Sequence, residues 1–335
     1  MHVLEAGTPG APCVLLLHGF PELSYSWRKV IPAIAAAGFH VLAPDQRGYG
    51  QTTGWDGRYD GDLASYRLLN LVEDAVSLLS RLGIWRAHLV GHDFGSPVCA
   101  YAALTRPDVF RSVVLMSAPF GGPPSSLPSS QIHEELASLG RKHYQWYYST
   151  READADMRQC EQGIVSFLRA YYHFKSADWK GNKPYPLKGW IATELAKLPT
   201  YYIMKLDEDM AETVAPEMPK HAAPWLTDDE LAVYAEAFHD NGFQGGLQWY
   251  RCATSPDFVA ELTKLAGRAI EIPSMFIAGA ADWGIYQAPG AFERMQSHAC
   301  TDMRGCHLVE GAGHWVQQEQ PEAVNRLLLD FLRVT

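Results

Sequence analysis

Short, unbroken apolar runs that alternate with helix-period stretches constrain this chain more than any other feature. "PCVLLLHGF" and "FHVLAPDQRGYG" are rich in Val and Leu and end in turn residues, as strands buried on both faces do. Between them, "ELSYSWRKVIPAIAAAG" has helical spacing and closes on a glycine. The order then repeats. "SYRLLNLVEDAVSLLSRLGI" sets Leu68, Leu71, Val72, Ala75, Leu78, Leu79 and Leu82 on one helical face, and a strand in "AHLVGHD", a helix in "GSPVCAYAALTRPDVF" and a strand in "RSVVLMSAP" follow. Parallel neighbours need a crossover between them, so strict alternation predicts a mostly parallel sheet with helices on both faces, an α/β fold.

The alternation stops after Pro119. "FGGPPSSLPSS" is a Gly/Pro/Ser cluster, and from Gln131 to about Tyr250 the sequence is helix-like, aromatic-rich and free of buried strand runs. It resumes in "IPSMFIAGAAD", "GAFERMQSHA", "CHLVEGAGH" and "QPEAVNRLLLDFL". Residues 1–122 and 253–335 are therefore assigned to one α/β core, and 123–252 to a helical lid inserted into it. With 335 residues, 47% of them hydrophobic, the chain can bury a full core. Lys and Arg number 28 against 38 Asp and Glu, and a formal charge of −10 argues against a phosphate-tracking surface and hence against nucleic acid as partner. Cys13, Cys99, Cys160, Cys252, Cys300 and Cys306 form no CxxC pair and read as reduced thiols. The amino terminus lacks the basic and apolar regions of a signal peptide, and no apolar run is long enough for a membrane span, so a cytoplasmic protein is expected. No cofactor and no metal ion are expected.

Within the core, "LVGHDFGSP" places Asp93 at a sharp turn between a strand and a helix, where a nucleophile elbow has the form GxSxG. Gly91 and Gly95 are the small residues that let strand and helix pass closely. Alone, an acid before a helix also serves as an N-cap. Two further segments shift the balance: "AGAADWG" puts Asp282 just past a buried strand, and "VEGAGHWV" puts His314 just past the last one. Nucleophile, acid and histidine in that chain order make a hydrolase triad, and all three fall at the carboxyl edge of a parallel sheet, where catalytic groups collect. "LLHGFPE" follows the first clear strand, where this arrangement builds its oxyanion hole, with the N–H groups of Phe20 and Phe94 as the expected donors. His18 and His92 read as packing and orienting groups, not bases.

The motifs "HGFP", "GHDFG", "AADWG" and "GHW", in this order around a helical insertion, resemble the epoxide hydrolases of the α/β-hydrolase fold over nearly the whole chain. The resemblance implies two lid tyrosines that hold the epoxide oxygen. "GFQGGLQWYR" maps the second to Tyr250; "HYQWYYSTREAD" maps the first to Tyr147, with Tyr144 and Tyr148 competing for the role. It also implies a pocket lined by Phe20, Pro21, Phe94, Trp146, Trp249 and Trp315, a small apolar epoxide and water as reactants, no membrane partner, and a monomer or homodimer. The chain begins one or two strands later than is usual in the family, so the outer sheet edge is expected to be missing or replaced. Haloalkane dehalogenases share the aspartate but follow it with a halide-binding tryptophan, where this chain has Phe94.

The chemistry explains the acid. An epoxide carbon is tetrahedral and must be displaced from behind, which a carboxylate, with an ordinary pKa of about 3.9, does without a base. The expected sequence is attack by Asp93, an ester on the enzyme, and hydrolysis of that ester by water activated by His314 and Asp282. Dehalogenation with the same triad is the nearest rival, with Trp249, Trp283 or Trp146 as halide donors; a ligand-binding protein that has lost turnover is a third reading.

Overall fold

The computed structural model describes residues 1–335. In chain order the strands are β1 (Val3–Ala6), β2 (Cys13–Leu17), β3 (His40–Pro44), β4 (Ala87–His92), β5 (Phe110–Met116), β6 (Arg141–His143), β7 (Ile203–Lys205), β8 (Ser274–Gly279) and β9 (Met303–Val309). Seven of them form one sheet in the order β1-β3-β2-β4-β5-β8-β9. Every neighbouring pair from β3 to β9 is parallel, and β1 runs antiparallel along β3. β2, β3, β4 and β8 are buried at every residue, which is why they read as continuous apolar runs instead of alternating ones.

Strand periodicity divides that apolar surface into two layers. Val14, Leu16, Val41, Val90 and Ile277 face the layer that holds helices 31–36 and 321–332. Leu15, Leu17, Leu42, Leu89 and Phe276 face the other, where helices 68–81 and 95–105 pack. The second layer runs on without a break into the helical segment between β5 and β8, through Tyr148, Phe167, Tyr171 and Phe243. That segment thus lies over the core and shares its hydrophobic interior.

Three local expectations differ from the structure. Residues 22–38 do not form one helix but a 3-10 turn, Ser24–Trp27, and a helix, Ile31–Ala36. Pro32 falls in the first turn of the latter, the one place where its missing N–H costs nothing, and Asp45 accepts both the N–H and the hydroxyl of Ser24 at the start of the former. The sheet edge carries β1, whose four partly exposed residues give no strand-length apolar signal. The helical insertion also contains a small antiparallel pair, β6 with β7, three residues each and partly polar. All six cysteines are free thiols, and no helix is long and apolar enough to cross a membrane.

Candidate active site

Asp93 sits between β4 and helix 95–105 with φ +49°, a left-handed conformation that costs a side-chain-bearing residue roughly 1–2 kcal/mol. Its neighbours make the turn possible. A Cβ on Gly91 would collide with the Gly95 carbonyl and Cys99, and one on Gly95 with the Leu17 and His18 carbonyls. A Cβ on Gly19 would run into the Asp93 side chain itself. The carboxylate does not cap the helix: Phe94 holds the N-cap position, without a side-chain cap. Instead the Phe20 N–H donates to Asp93 Oδ1 at 2.9 Å. The Phe94 N–H, the other expected donor, opens the helix and is not hydrogen-bonded to Asp93.

His314 lies on the loop after β9 and faces two acids. Its Nδ1 is 3.1 Å from Asp282 Oδ1, and its Nε2 is 3.2 Å from Asp93 Oδ2, a contact too bent to be a hydrogen bond. Asp282 also accepts the Gly284 N–H at 2.7 Å, which fixes the carboxylate toward the imidazole. Burial pushes the Asp93 carboxyl up, but His314, with Lys175 and His92 beyond it, outweighs that and holds it well below the usual carboxylate range. Asp282 is likewise held low, against its burial, by His314 and the Gly284 N–H. Both acids are therefore ionised at neutral pH. Glu319 clamps the loop on either side of the imidazole, accepting the N–H groups of Gly313 and Trp315 at 3.0 Å each.

His18 and His92 have the structural roles the sequence suggested, and His92 has a partner that it did not. His18 accepts the Gln46 N–H on Nε2, and burial holds its pKa down, so it stays neutral. His92 Nε2 donates to the His314 carbonyl at 2.7 Å, while its Nδ1 meets Glu22 Oε2 at 2.6 Å. Both side chains are wholly buried. Burial works against charge on each, yet each partner offsets it for the other: Glu22 is held low and His92 is pushed up, an internal ion pair. Gln317, Gln318 and the Gly19 N–H supply further donors to Glu22. This acid ties together the loop after β2, the elbow and the histidine loop.

A cavity of about 620 Å³ opens above Asp93 and Phe94, lined by Tyr144, Trp146, Trp249 and Tyr250 from the insertion. Three expected lining residues lie elsewhere. Phe20 is packed behind Tyr250 and Tyr148, the Pro21 carbonyl accepts the Tyr172 hydroxyl, and Trp315 is sandwiched between His314 and Tyr172. Tyr147 is a correction of a different kind. Its hydroxyl donates to Asp156 at 2.9 Å and the Lys142 ammonium lies over its ring, so it is drawn away from the cavity. Tyr144 takes the inward place, with its ring 5.9 Å from that of Tyr250. Both inward phenols are pushed well above their ordinary pKa by burial and by the Asp93 charge, so both keep their protons in the resting protein.

A halide cradle is poorly furnished. The Trp249 indole N–H is spent on the Arg47 carbonyl, Trp283 is not in the cavity wall, and Phe94 has no donor in its side chain, which leaves Trp146 alone of the expected halide donors in the wall. Besides Glu22, sequence reasoning missed Lys175. Its ammonium is buried among Tyr171, Tyr202 and Trp315, and its carbonyl accepts the His314 N–H at 2.9 Å. The acid directly after "HGFP" was a visible signal for Glu22; a lysine within a helical aromatic run gave none for Lys175.

Comparison with known proteins agrees with this geometry. A family described as the alpha/beta hydrolase fold matches residues 12–321. Epoxide hydrolase A of Mycobacterium tuberculosis is 35% identical over 99% of this chain and 94% of its own length. Epoxide hydrolase 3 of Siraitia grosvenorii is 30% identical over 99% and 94%. Among solved structures, an epoxide hydrolase from an endophytic Streptomyces superposes with a TM-score of 0.81 at 32% identity, covering 99% of this chain and 91% of that one. With its elbow aspartate and two tyrosines of the insertion on one cavity, the chain belongs to the epoxide hydrolases of the α/β-hydrolase fold, and its reaction is the hydrolysis of an epoxide.

Proposed function

We propose that this hydrolysis runs in two steps through an ester on Asp93, beneath a lid formed by residues 123–252. Asp93 Oδ2, the oxygen not engaged by Phe20, attacks an epoxide carbon. Tyr144 and Tyr250 meet the oxygen that leaves; one such buried donor to a developing oxyanion is worth about 3–4 kcal/mol. His314, oriented by Asp282, then removes a proton from water, which adds to the ester carbonyl while the Phe20 N–H holds its oxygen. The observation that carries the reading is the placement of an ionised Asp93 and two protonated phenols around one cavity. The product is a vicinal diol. Phe94, Trp146 and Trp249 favour an apolar substituent on the epoxide. The free thiols fit a reducing compartment, in keeping with a cytoplasmic enzyme.

His314→Gln tests the order of events. The first step needs no base, so this variant should alkylate and then stall, and intact-protein mass spectrometry should show the substrate mass added to Asp93. An unmodified variant after long incubation with an epoxide that the wild type consumes would sink the two-step scheme. Release of halide from haloalkanes by the wild type, with no diol from epoxides, would favour dehalogenation.

A further inference from the structure

Tyr144 and Tyr250 share a cavity but not an environment. The Tyr250 hydroxyl has no hydrogen-bond partner, and its ring is packed edge-on by Phe20 at 5.5 Å, Phe94 at 5.1 Å and Tyr148 at 5.0 Å. The Tyr144 hydroxyl lies between two carboxamides. It accepts from Gln145 Nε2 at 3.2 Å and donates to Gln287 Oε1 at 3.1 Å. Gln145 is its neighbour on the insertion; Gln287 comes from the core, a few residues beyond Asp282, and its own amide nitrogen makes no hydrogen bond within the protein.

Two donors to one oxygen need not do the same chemistry. A hydroxyl that only donates keeps its proton and asks nothing more of its surroundings. One that gives the proton away becomes a phenolate, and a buried phenolate without donors carries the full cost of desolvation. The aromatic ring of neighbours around Tyr250 offers it no donor. At Tyr144, Gln145 already aims an N–H at the oxygen, and a half-turn of the Gln287 carboxamide replaces its carbonyl by a second N–H. The electrostatics run the same way: burial raises both phenols, and Gln145 pulls against it at Tyr144, whereas the main influences on Tyr250 all raise it.

We propose that Tyr144 surrenders its proton to the opening epoxide while Tyr250 holds the same oxygen and keeps its own, and that Gln287 is the positioning residue responsible for the difference. This rests on the reading of Asp93 as nucleophile and of the two inward phenols as donors. At rest the Gln287 carbonyl occupies the Tyr144 O–H. When the epoxide oxygen replaces it as acceptor, the carboxamide turns over and donates. The bond from Asp93 Oδ2 to carbon forms, the ring C–O bond breaks, and its electron pair stays on the oxygen, which takes the Tyr144 proton. Gln145 and Gln287 then hold the phenolate. In the second step water adds to the ester with loss of a proton to His314. Collapse expels the product alkoxide, which the imidazolium protonates, and leaves Asp93 as a carboxylic acid whose proton returns to Tyr144 through solvent. One water is consumed per diol.

The test is a pair of double-mutant cycles on single-turnover alkylation, with styrene oxide as probe and thermal melting to confirm folding. Gln287→Met keeps the length of the side chain and removes both amide groups. It should slow alkylation roughly tenfold or more in the wild type and in Tyr250→Phe, and leave Tyr144→Phe unchanged, because the lost hydrogen bond to a charged oxygen matters only where that oxygen exists. Substrate affinity should change little, so the effect falls on the rate. Gln145→Met, which removes the other N–H, should show the same dependence on Tyr144 and serves if Gln287→Met melts early. Equal slowing in both phenylalanine backgrounds, or no slowing in any, overturns the proposal. Absence of an Asp93 adduct in the wild type would instead overturn the reading beneath it.

Discussion

Glu22 shows how much a single buried charge can hold. Its carboxylate meets His92 inside the protein, and removing one member of such a pair leaves the other uncompensated, at a cost of about 3–5 kcal/mol. Glu22→Gln should lose stability of that order, and the loss should vary with pH. Glu22 is held below its ordinary 4.5, so its contribution is present above that value and is lost as pH falls through the lowered one. His92 is raised above its ordinary 6.5, so its contribution is full below 6.5 and is lost as pH rises through the raised value. The difference in stability between wild type and variant should therefore be greatest between pH 4.5 and 6.5 and narrow on both sides. A difference that does not change with pH, measured by denaturant unfolding, would show that the pair is not ionised. Asp93, Asp282 and His314 were legible in the sequence because each is fixed to the end of a strand. The choice of Tyr144 over its neighbours was not: three tyrosines fan around the short helix Tyr144–Tyr148, and only Asp156 and Lys142, which draw Tyr147 outward, decide which faces the cavity.

At the scale of elements, helix Gln244–Thr254 carries Tyr250 and reaches the core at Gly245, which meets Gly48 backbone to backbone. Asp154 accepts the Phe243 and Gln244 N–H groups at the start of this helix, and the Trp249 indole anchors it to the Arg47 carbonyl. A methyl group on Gly245 would collide with the Gly48 carbonyl and push the helix off the core. Gly245→Ala should cost roughly 1–3 kcal/mol of stability through overpacking. It should also slow alkylation by up to about a hundredfold, the penalty of moving a catalytic group by about 1 Å, while hydrolysis of ester already formed changes far less. Stopped-flow resolution of the two steps checks this; equal slowing of both would mean that the helix bears on more than the leaving oxygen. Such an element is readable from sequence as amphipathic, but its docking partner is not, because a glycine in "FQGGLQ" does not announce which backbone it must admit. The split of residues 22–38 into a 3-10 turn and a helix was half hidden for a similar reason, since Pro32 is visible in the sequence but the distant Asp45 that holds Ser24 is not.

Across the whole molecule, the alternation of strand and helix was sufficient to give the sheet and its parallel sense, while β1 and the β6–β7 pair escaped notice because three or four partly polar residues carry no period. Asp93 and His314 belong to the core, and Tyr144 and Tyr250 to the insertion above it. One asymmetry at the centre reaches into the product. The Phe20 N–H distinguishes the two Asp93 oxygens, holding Oδ1 and leaving Oδ2 free of it. In the proposed two-step scheme, hydrolysis of the ester sends Oδ2 away with the diol and puts a solvent oxygen in its place. On that scheme each product molecule inherits an atom of the protein, and each enzyme molecule keeps an isotopic memory of the water in which it last worked. Enzyme that has turned over in heavy-oxygen water, then moved to ordinary water, should hand the heavy atom to its first diol and to no later one; a light first diol would mean that water attacks the epoxide directly.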